Sequence, residues 1–231
     1  MLHEHTVTPE TLDLIKRLTA DQQLKDFALV GGTALALQLG HRRSIDVDLF
    51  TPGAFTSDAV SRHIKATYNI GQMDIIKNGV YTFIDGIKTD MISFGYPWLS
   101  PPQTIDGIRM ASLDDIAAMK LHAIIQNGRR LKDFVDVHYL LEHKSLHDMT
   151  EAYTRKFPGY NTSLLKNALL YHDEINFKWD VSLLLQPFDW QKIDQRLRRA
   201  AQTPKQIFAA KPEAPGKSQK QTQSKQHRRK L

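Results

Sequence analysis

FALVGGTALALQLGHRRSIDVDLF, residues 27–50, is the stretch whose reading decides the fold. Phe27 to Val30 form an apolar run that stops at Gly31-Gly32, the pattern of a buried strand ending in a turn that needs close backbone approach. Thr33 then reads as a helix N-cap, Ala34 to Leu39 as strong helix formers and Gly40 as the C-terminal stop. A helix N-terminus behind a glycine turn offers free N–H groups to an anion. Beyond it Ile45, Val47 and Leu49 alternate with Asp46 and Asp48, so a two-residue period predicts the apolar trio on one face and both carboxylates on the other. The bland reading is a ligand-free turn followed by the wet face of a half-exposed strand. Against it, Asp is a poor strand former and two of them at this spacing repel each other unless a cation lies between.

A phosphate cradle a few residues ahead of a carboxylate pair suits metal-assisted chemistry on a nucleoside triphosphate. Two divalent ions about 3.5 to 4 Å apart need oxygen ligands from several carboxylates, so a third acid is expected further on. Residues 71–94 carry the clearest hairpin signals. Asn78-Gly79 and Asp85-Gly86 are dipeptides of type I′ turns, and they separate runs 72–77, 80–84 and 87–94, which predicts an antiparallel meander. Its last run, GIKTDMISF, contains Asp90, the candidate third carboxylate. Alternation gives Asp90 the face of Lys88 but also that of Ile92 and Phe94, and so permits a cleft position without demanding it.

Outward from this centre, Thr8-Pro9 predicts the start of a packing helix with Leu12, Ile15 and Leu18 on its apolar side. Residues 57–66 read as another helix. Pro97, Pro101 and Pro102 mark a loop and a lobe boundary. Ser112 with Asp115 predicts a capping box opening a helix through Ile125, with Asn127-Gly128 as its stop and a second helix over 131–141. Further helices are expected near 150–157, 163–175 and 189–201. The expectation is an α+β chain: a lobe with a mixed sheet over 1–110, a helical lobe over 111–202, and a basic, disordered tail over 203–231.

Length and composition agree. A chain of 231 residues with 41% hydrophobic and 24% charged residues buries an ordinary core without staples. The absence of cysteine excludes disulfides and thiolate-bound zinc. No run is apolar for long enough to span a bilayer and the N-terminus lacks signal-peptide character, so no membrane partner and a cytoplasmic location are expected. Residues 211–231 hold seven lysines and arginines against Glu213 alone, which accounts for the whole net charge of +6. The basic pI is therefore a property of the tail. Such a tail is either solubilising or a sequence-independent RNA tether.

GGTALALQLGHRRSIDVDLF resembles the first motif of the nucleotidyltransferase superfamily, and most closely that of the AbiEii/AbiGii toxin family of type IV toxin–antitoxin pairs. The resemblance implies a DNA polymerase β-like lobe, an enzyme of the EC 2.7.7 type, Mg²⁺ or Mn²⁺ as cofactor and an NTP as substrate. It implies metal ligation by Asp46, Asp48 and Asp90, and nucleotide contacts from Gly31, Gly32 and Thr33. It extends to Lys120 and to the element Lys132-Asp133-Phe134-Val135-Asp136, where Lys120 would meet the phosphates and Asp133 or Asp136 would build or brace the site. An RNA, perhaps tRNA, or protein acceptor, a cognate antitoxin and a role in phage defence follow from the same likeness.

Several residues stay open on the sequence alone. His41, Arg42 and Arg43 are a polar loop or, for a cation such as Arg43 beside a phosphate cleft, a triphosphate contact. His143 and His147 have the spacing of a metal pair but no nearby third ligand. Trp179 and Trp190 read as packing anchors. Two other functions fit the same residues: a non-catalytic nucleotide- or RNA-binding module on this fold, and a phosphotransferase.

Overall fold

The computed structural model describes residues 1–178 and 181–209. Most of the basic tail and Trp179 therefore lie outside the described residues. The centre of the fold is a seven-stranded mixed sheet in the order β3-β4-β5-β2-β1-β7-β6. Its strands are β1 (Ala28–Leu29), β2 (Val47–Thr51), β3 (Ile70–Ile76), β4 (Gly79–Ile84), β5 (Ile87–Ser93), β6 (Gln103–Ile105) and β7 (Ile108–Met110). β1 runs antiparallel to β2, while β2 and β5 are parallel and register Asp48 opposite Asp90.

Two helices precede or interrupt these strands in the first half, besides the short helix that follows β1. Helix α1 (Pro9–Ala20) starts where Thr8 accepts the amide hydrogen of Thr11 with proline in the first turn. Helix α2 (Gly31–Leu39) follows β1 directly, and α3 (Ser57–Thr67) links β2 to β3. Helices α4 (Leu113–Gln126), α5 (Leu131–Leu140), α6 (Leu146–Lys156), α7 (Ser163–Leu170) and α8 (Trp190–Gln202) make the second half helical. One contiguous apolar cluster runs through both halves, from Leu14 and Leu29 to Phe134 and Leu197.

The structure departs from the sequence expectations at identifiable places. Alternation at Ile45 fails: β2 begins at Val47, and Ile45 lies outside it at 62% exposure. The meander is present, and Asp85-Gly86 has the two positive φ angles of a type I′ turn. In the first hairpin, however, only Asn78 is left-handed and Gly79 already pairs with Ile76, so the turn sits one residue earlier than expected. Between the prolines and α4 lies a further hairpin, β6–β7, turned by Asp106-Gly107 with φ of 49° and 83°. Helix α6 begins at Leu146 under a capping box of Ser145 and Asp148, and α7 ends at Leu170 rather than near residue 175. His143 precedes α6 and His147 sits 3.4 Å from Glu151, so these histidines do not share a helical face.

Candidate active site

Gly31 is the hinge of the site. Its φ of +69° is a conformation that favours glycine, and a Cβ there would lie 2.4 Å from Asp48 Oδ2. The helix accordingly starts at Gly31 with Val30 as its N-cap, three residues before the expected N-cap Thr33. Thr33 is instead a buried clamp: its hydroxyl donates at very close range to the backbone carbonyl of Asp46 and is hydrogen-bonded with the Ser44 hydroxyl at 2.9 Å. That bond fixes the approach to β2. Gly32 answers a different need, because a Cβ there would fall 2.1 Å from Arg42 Nη2. The second glycine makes room for a guanidinium.

Arg42 is the anchor of a buried ionic cluster beneath α2. Its Nε and Nη2 donate to the two oxygens of Asp136 at 2.7 and 3.0 Å, a bidentate pairing. His41 Nε2 donates to Asp136 Oδ1 at 2.8 Å. Lys120 Nζ lies 2.7 Å from Asp133 Oδ1 and 2.7 Å from Asp136 Oδ2, and Arg130 Nε lies 3.4 Å from Asp133 Oδ2. Burial by itself would raise the Asp136 pKa, but the charges of Arg42 and Lys120 and the bonds from His41 and Arg42 hold it well below the usual carboxylate range. His41 goes the other way, since burial outweighs its bond to Asp136 and lowers its pKa. Lys120 keeps its proton because Asp133 and Asp136 outweigh its desolvation.

The open face of the sheet carries the other acids. Asp48 on β2 and Asp90 on β5 are direct cross-strand partners, and Asp46 precedes β2 in the loop held by Thr33. Asp48 is pushed up to about 6, first by burial and then by the charge of Asp90, with Asp46 adding to it and Lys120 and Lys88 opposing. Asp90 is 8% exposed and its Oδ1 has no hydrogen-bond partner. Its other oxygen accepts from Lys88 Nζ at 2.6 Å. The Lys88 pKa is raised, since the bond and charge of Asp90 and the charges of Asp46 and Asp48 outweigh desolvation.

The expected site residues therefore fall into two groups. Gly31, Asp46, Asp48 and Asp90 lie together: Gly31 is against Asp48, Asp48 is opposite Asp90, and the charge of Asp46 acts on Asp48. Asp133 and Asp136, expected near the nucleotide, are 1% and 0% exposed and face Lys120, Arg42 and His41, so their geometry is that of a brace and not of a nucleotide contact. Lys120 joins the groups, because it is held by the brace while its charge reaches Asp48. Arg43 points its exposed side chain outward, and its backbone N–H donates to Ser182 O at 2.9 Å. Among the described residues no group of three or more His, Cys, Asp or Glu side chains is drawn together as a metal site. An ammonium group sits at the acids where the expected cation would be. Sequence reasoning missed the roles of Arg42 and Lys88, although the two-residue period had placed Lys88 on the face of Asp90.

A mixed sheet with paired aspartates on neighbouring strands behind a glycine-hinged helix defines a nucleotidyltransferase. The profile of one family, described as nucleotidyl transferase AbiEii toxin of type IV toxin–antitoxin systems, matches residues 13–222, and the chain belongs to that family. A relative, an uncharacterized protein of Aquifex aeolicus (strain VF5), is 31% identical over 180 residues, which cover 75% of this chain and 85% of the relative. Among solved structures, a candidate nucleotidyltransferase from H. pylori superimposes with a TM-score of 0.52 at 21% identity, covering 87% of this chain and 92% of the other. The structure of JHP933 from Helicobacter pylori gives 0.51 at 22% identity, with 85% and 92% covered. At these identities both likenesses concern the fold. No helix among the described residues is long and apolar enough to cross a membrane.

Proposed function

We propose that this nucleotidyltransferase moves a nucleoside monophosphate from an NTP to a hydroxyl of an RNA such as tRNA, or of a protein, and does so with a divalent cation at Asp46, Asp48 and Asp90. The observation that carries the reading is the cross-strand register of Asp48 and Asp90, two acids side by side next to a glycine-hinged helix start. The donor set fits a hard cation, being all carboxylate oxygen, in excess negative charge, with one buried oxygen of Asp90 unpartnered. When bound, Mg²⁺ or Mn²⁺ would offset triphosphate charge and lower the pKa of an acceptor hydroxyl.

The chain's own residues do the rest. The backbone N–H groups of Gly31 and Gly32 at the start of α2 are the donors for phosphate oxygens. Lys120, fixed by Asp133 and Asp136, supplies a positive charge that cannot swing away. Asp90 is also the proposed acceptor of the hydroxyl proton. We place the triphosphate between a sheet lobe over residues 1–110 and a helical lobe over 111–202. The growth-inhibiting role, the control by a cognate antitoxin, the part in phage defence and the cytoplasmic location are proposals that rest on family membership.

Incubation with α-labelled and γ-labelled NTPs, Mg²⁺ and total RNA or protein extract tests the reading. Label should move from the α position and be lost in Asp46→Ala. Movement of γ label would make the chain a phosphotransferase, and NTP binding without any transfer would make it a binding module.

A further inference from the structure

Lys88 is the residue at the acid cluster that the proposed chemistry does not use. Its ammonium lies 2.6 Å from Asp90 Oδ2, and the side chain is 48% exposed, so its tip is free to leave. It approaches along β5 itself, two residues before Asp90, on the face shared with Asp48 across the strand pair. The acids it serves are short of positive charge. Asp46, Asp48 and Asp90 are all close enough for their charges to act on Lys88, Asp90 is more than nine-tenths buried, and Asp90 Oδ1 has no partner of any kind. By contrast the acids beneath α2 are held by three basic side chains and a histidine.

Resting on the metal-dependent reading above, we propose that Lys88 is a tethered cation which occupies the acid cluster of the nucleotide-free protein and must be displaced from Asp90 before a divalent ion is held there. An ammonium on Asp90 Oδ2 and a divalent ion on the same small carboxylate repel one another at close range, so seating the ion favours departure of the lysine. The cost of seating a bare ion is therefore raised in the empty protein. A triphosphate changes the balance, since it brings its own negative charge and offers the freed ammonium a new partner at the mouth of the site. Metal entry becomes coupled to nucleotide entry, and the empty enzyme is kept from filling with metal alone. The device is local and needs only rotation of one exposed lysine side chain.

The test is Mn²⁺ binding by the nucleotide-free protein, followed by the paramagnetic signal of the free ion, in wild type, Lys88→Met and Asp90→Asn. Methionine keeps the length of the side chain and removes the charge, and circular dichroism checks that β5 still forms. Lys88→Met should bind Mn²⁺ roughly three- to tenfold more tightly than wild type, the range expected for a partly screened charge pair. The gap between the two proteins should narrow when a non-hydrolysable NTP is present. Its melting temperature should also rise more with added Mn²⁺ than that of wild type. Equal or weaker Mn²⁺ binding by Lys88→Met, with Asp90→Asn weaker than both, overturns the role of Lys88 and leaves the proposed function standing. Mn²⁺ binding that is the same in all three proteins, with and without NTP, overturns the metal-dependent reading and the Lys88 proposal with it.

Discussion

Two groups of aspartates lie on either side of Lys120, and they are solved in opposite ways. Asp133 and Asp136 on α5 are fully buried among fixed cations: Asp136 takes two bonds from Arg42, one from His41 and an ion pair from Lys120, while Asp133 has Lys120 on one oxygen and Arg130 at 3.4 Å from the other, which accepts no hydrogen bond. Asp46, Asp48 and Asp90 have only one cation in direct contact, the half-exposed Lys88 on Asp90, with the charge of Lys120 acting on Asp48 from the other side. A buried charge that is fully paired can only be disturbed at a cost, so the first group acts as a fastener between the loop after α2 and the helices α4 and α5. An underpaired group stores affinity for a cation. The lesson is that acidic residues of similar spacing can serve opposite ends, one group locked among buried cations and the other held by a single exposed one.

The comparison breaks most sharply in a pair of amide substitutions. Asp48→Asn should cost about a thousandfold in transfer rate, ~4 kcal/mol on the barrier, by removing a carboxylate from the centre of the site. Its effect on unfolding in urea should be small and stabilising, because the burial of charge and the repulsion from Asp90 that together lift Asp48 to about 6 are relieved. Asp136→Asn should show the reverse emphasis. It leaves Arg42 and Lys120 buried with too little negative charge, and a broken buried pair costs about 3–5 kcal/mol in unfolding free energy. If Asp136→Asn were as stable as wild type, the fastener would be no fastener.

Much of this division was readable before any coordinates. The strand, glycine turn, short helix and acid strand of residues 27–50 are local, and so are the helix starts at Thr8-Pro9 and Ser112, where a side chain accepts an amide two or three residues on. What was not legible depends on distant partners. Nothing near Arg42 and Arg43 says which of them folds inward, since the deciding carboxylate of Asp136 is 94 residues away from Arg42. Ile45 looked buried because alternation was extended back past the point where Thr33 and Ser44 pull the chain into a loop. The β6–β7 hairpin follows a proline-rich stretch that reads as loop and its strands are only three residues each, although Asp106-Gly107 is the same turn signal as Asp85-Gly86. The mixed order of the sheet, with β5 beside β2, puts Asp90 opposite Asp48, and no periodicity within a single strand specifies that.

The fastener should also be sensitive to acid through its neighbour His138. Both ring nitrogens lack partners and the pKa is lowered to about 3, chiefly by burial and then by the charges of Arg196 and His41. The unfolded chain binds a proton there below its ordinary 6.5 while the folded one does not, so stability is complete above pH 6.5 and falls as pH drops toward 3. At pH 5 the loss from this residue is about 2 kcal/mol. His138→Phe should flatten that part of the curve in denaturant titrations between pH 4 and pH 7. A curve as steep as wild type would place the acid sensitivity elsewhere.

The smallest effect belongs to the adjacent arginines, which the structure sorts between the two regions. Arg42 lies in the fastener at 3% exposure, whereas the Arg43 side chain is exposed and only its backbone is engaged, donating to Ser182 and accepting from Arg42 Nη1. Because a surface substitution that keeps the backbone bonds changes stability little, Arg43→Ala should stay within about 0.5 kcal/mol of wild type in urea. An exposed guanidinium beside the start of β2 can still attract a triphosphate through water. The KM for NTP should then rise by about two- to fivefold with kcat unchanged, the size of a screened surface charge contact, and the rise should shrink as salt is added. Loss of stability without a change in KM would assign Arg43 to the fastener along with its neighbour. A fall in kcat at constant KM would instead put it at the reacting phosphate, where the underpaired acids are.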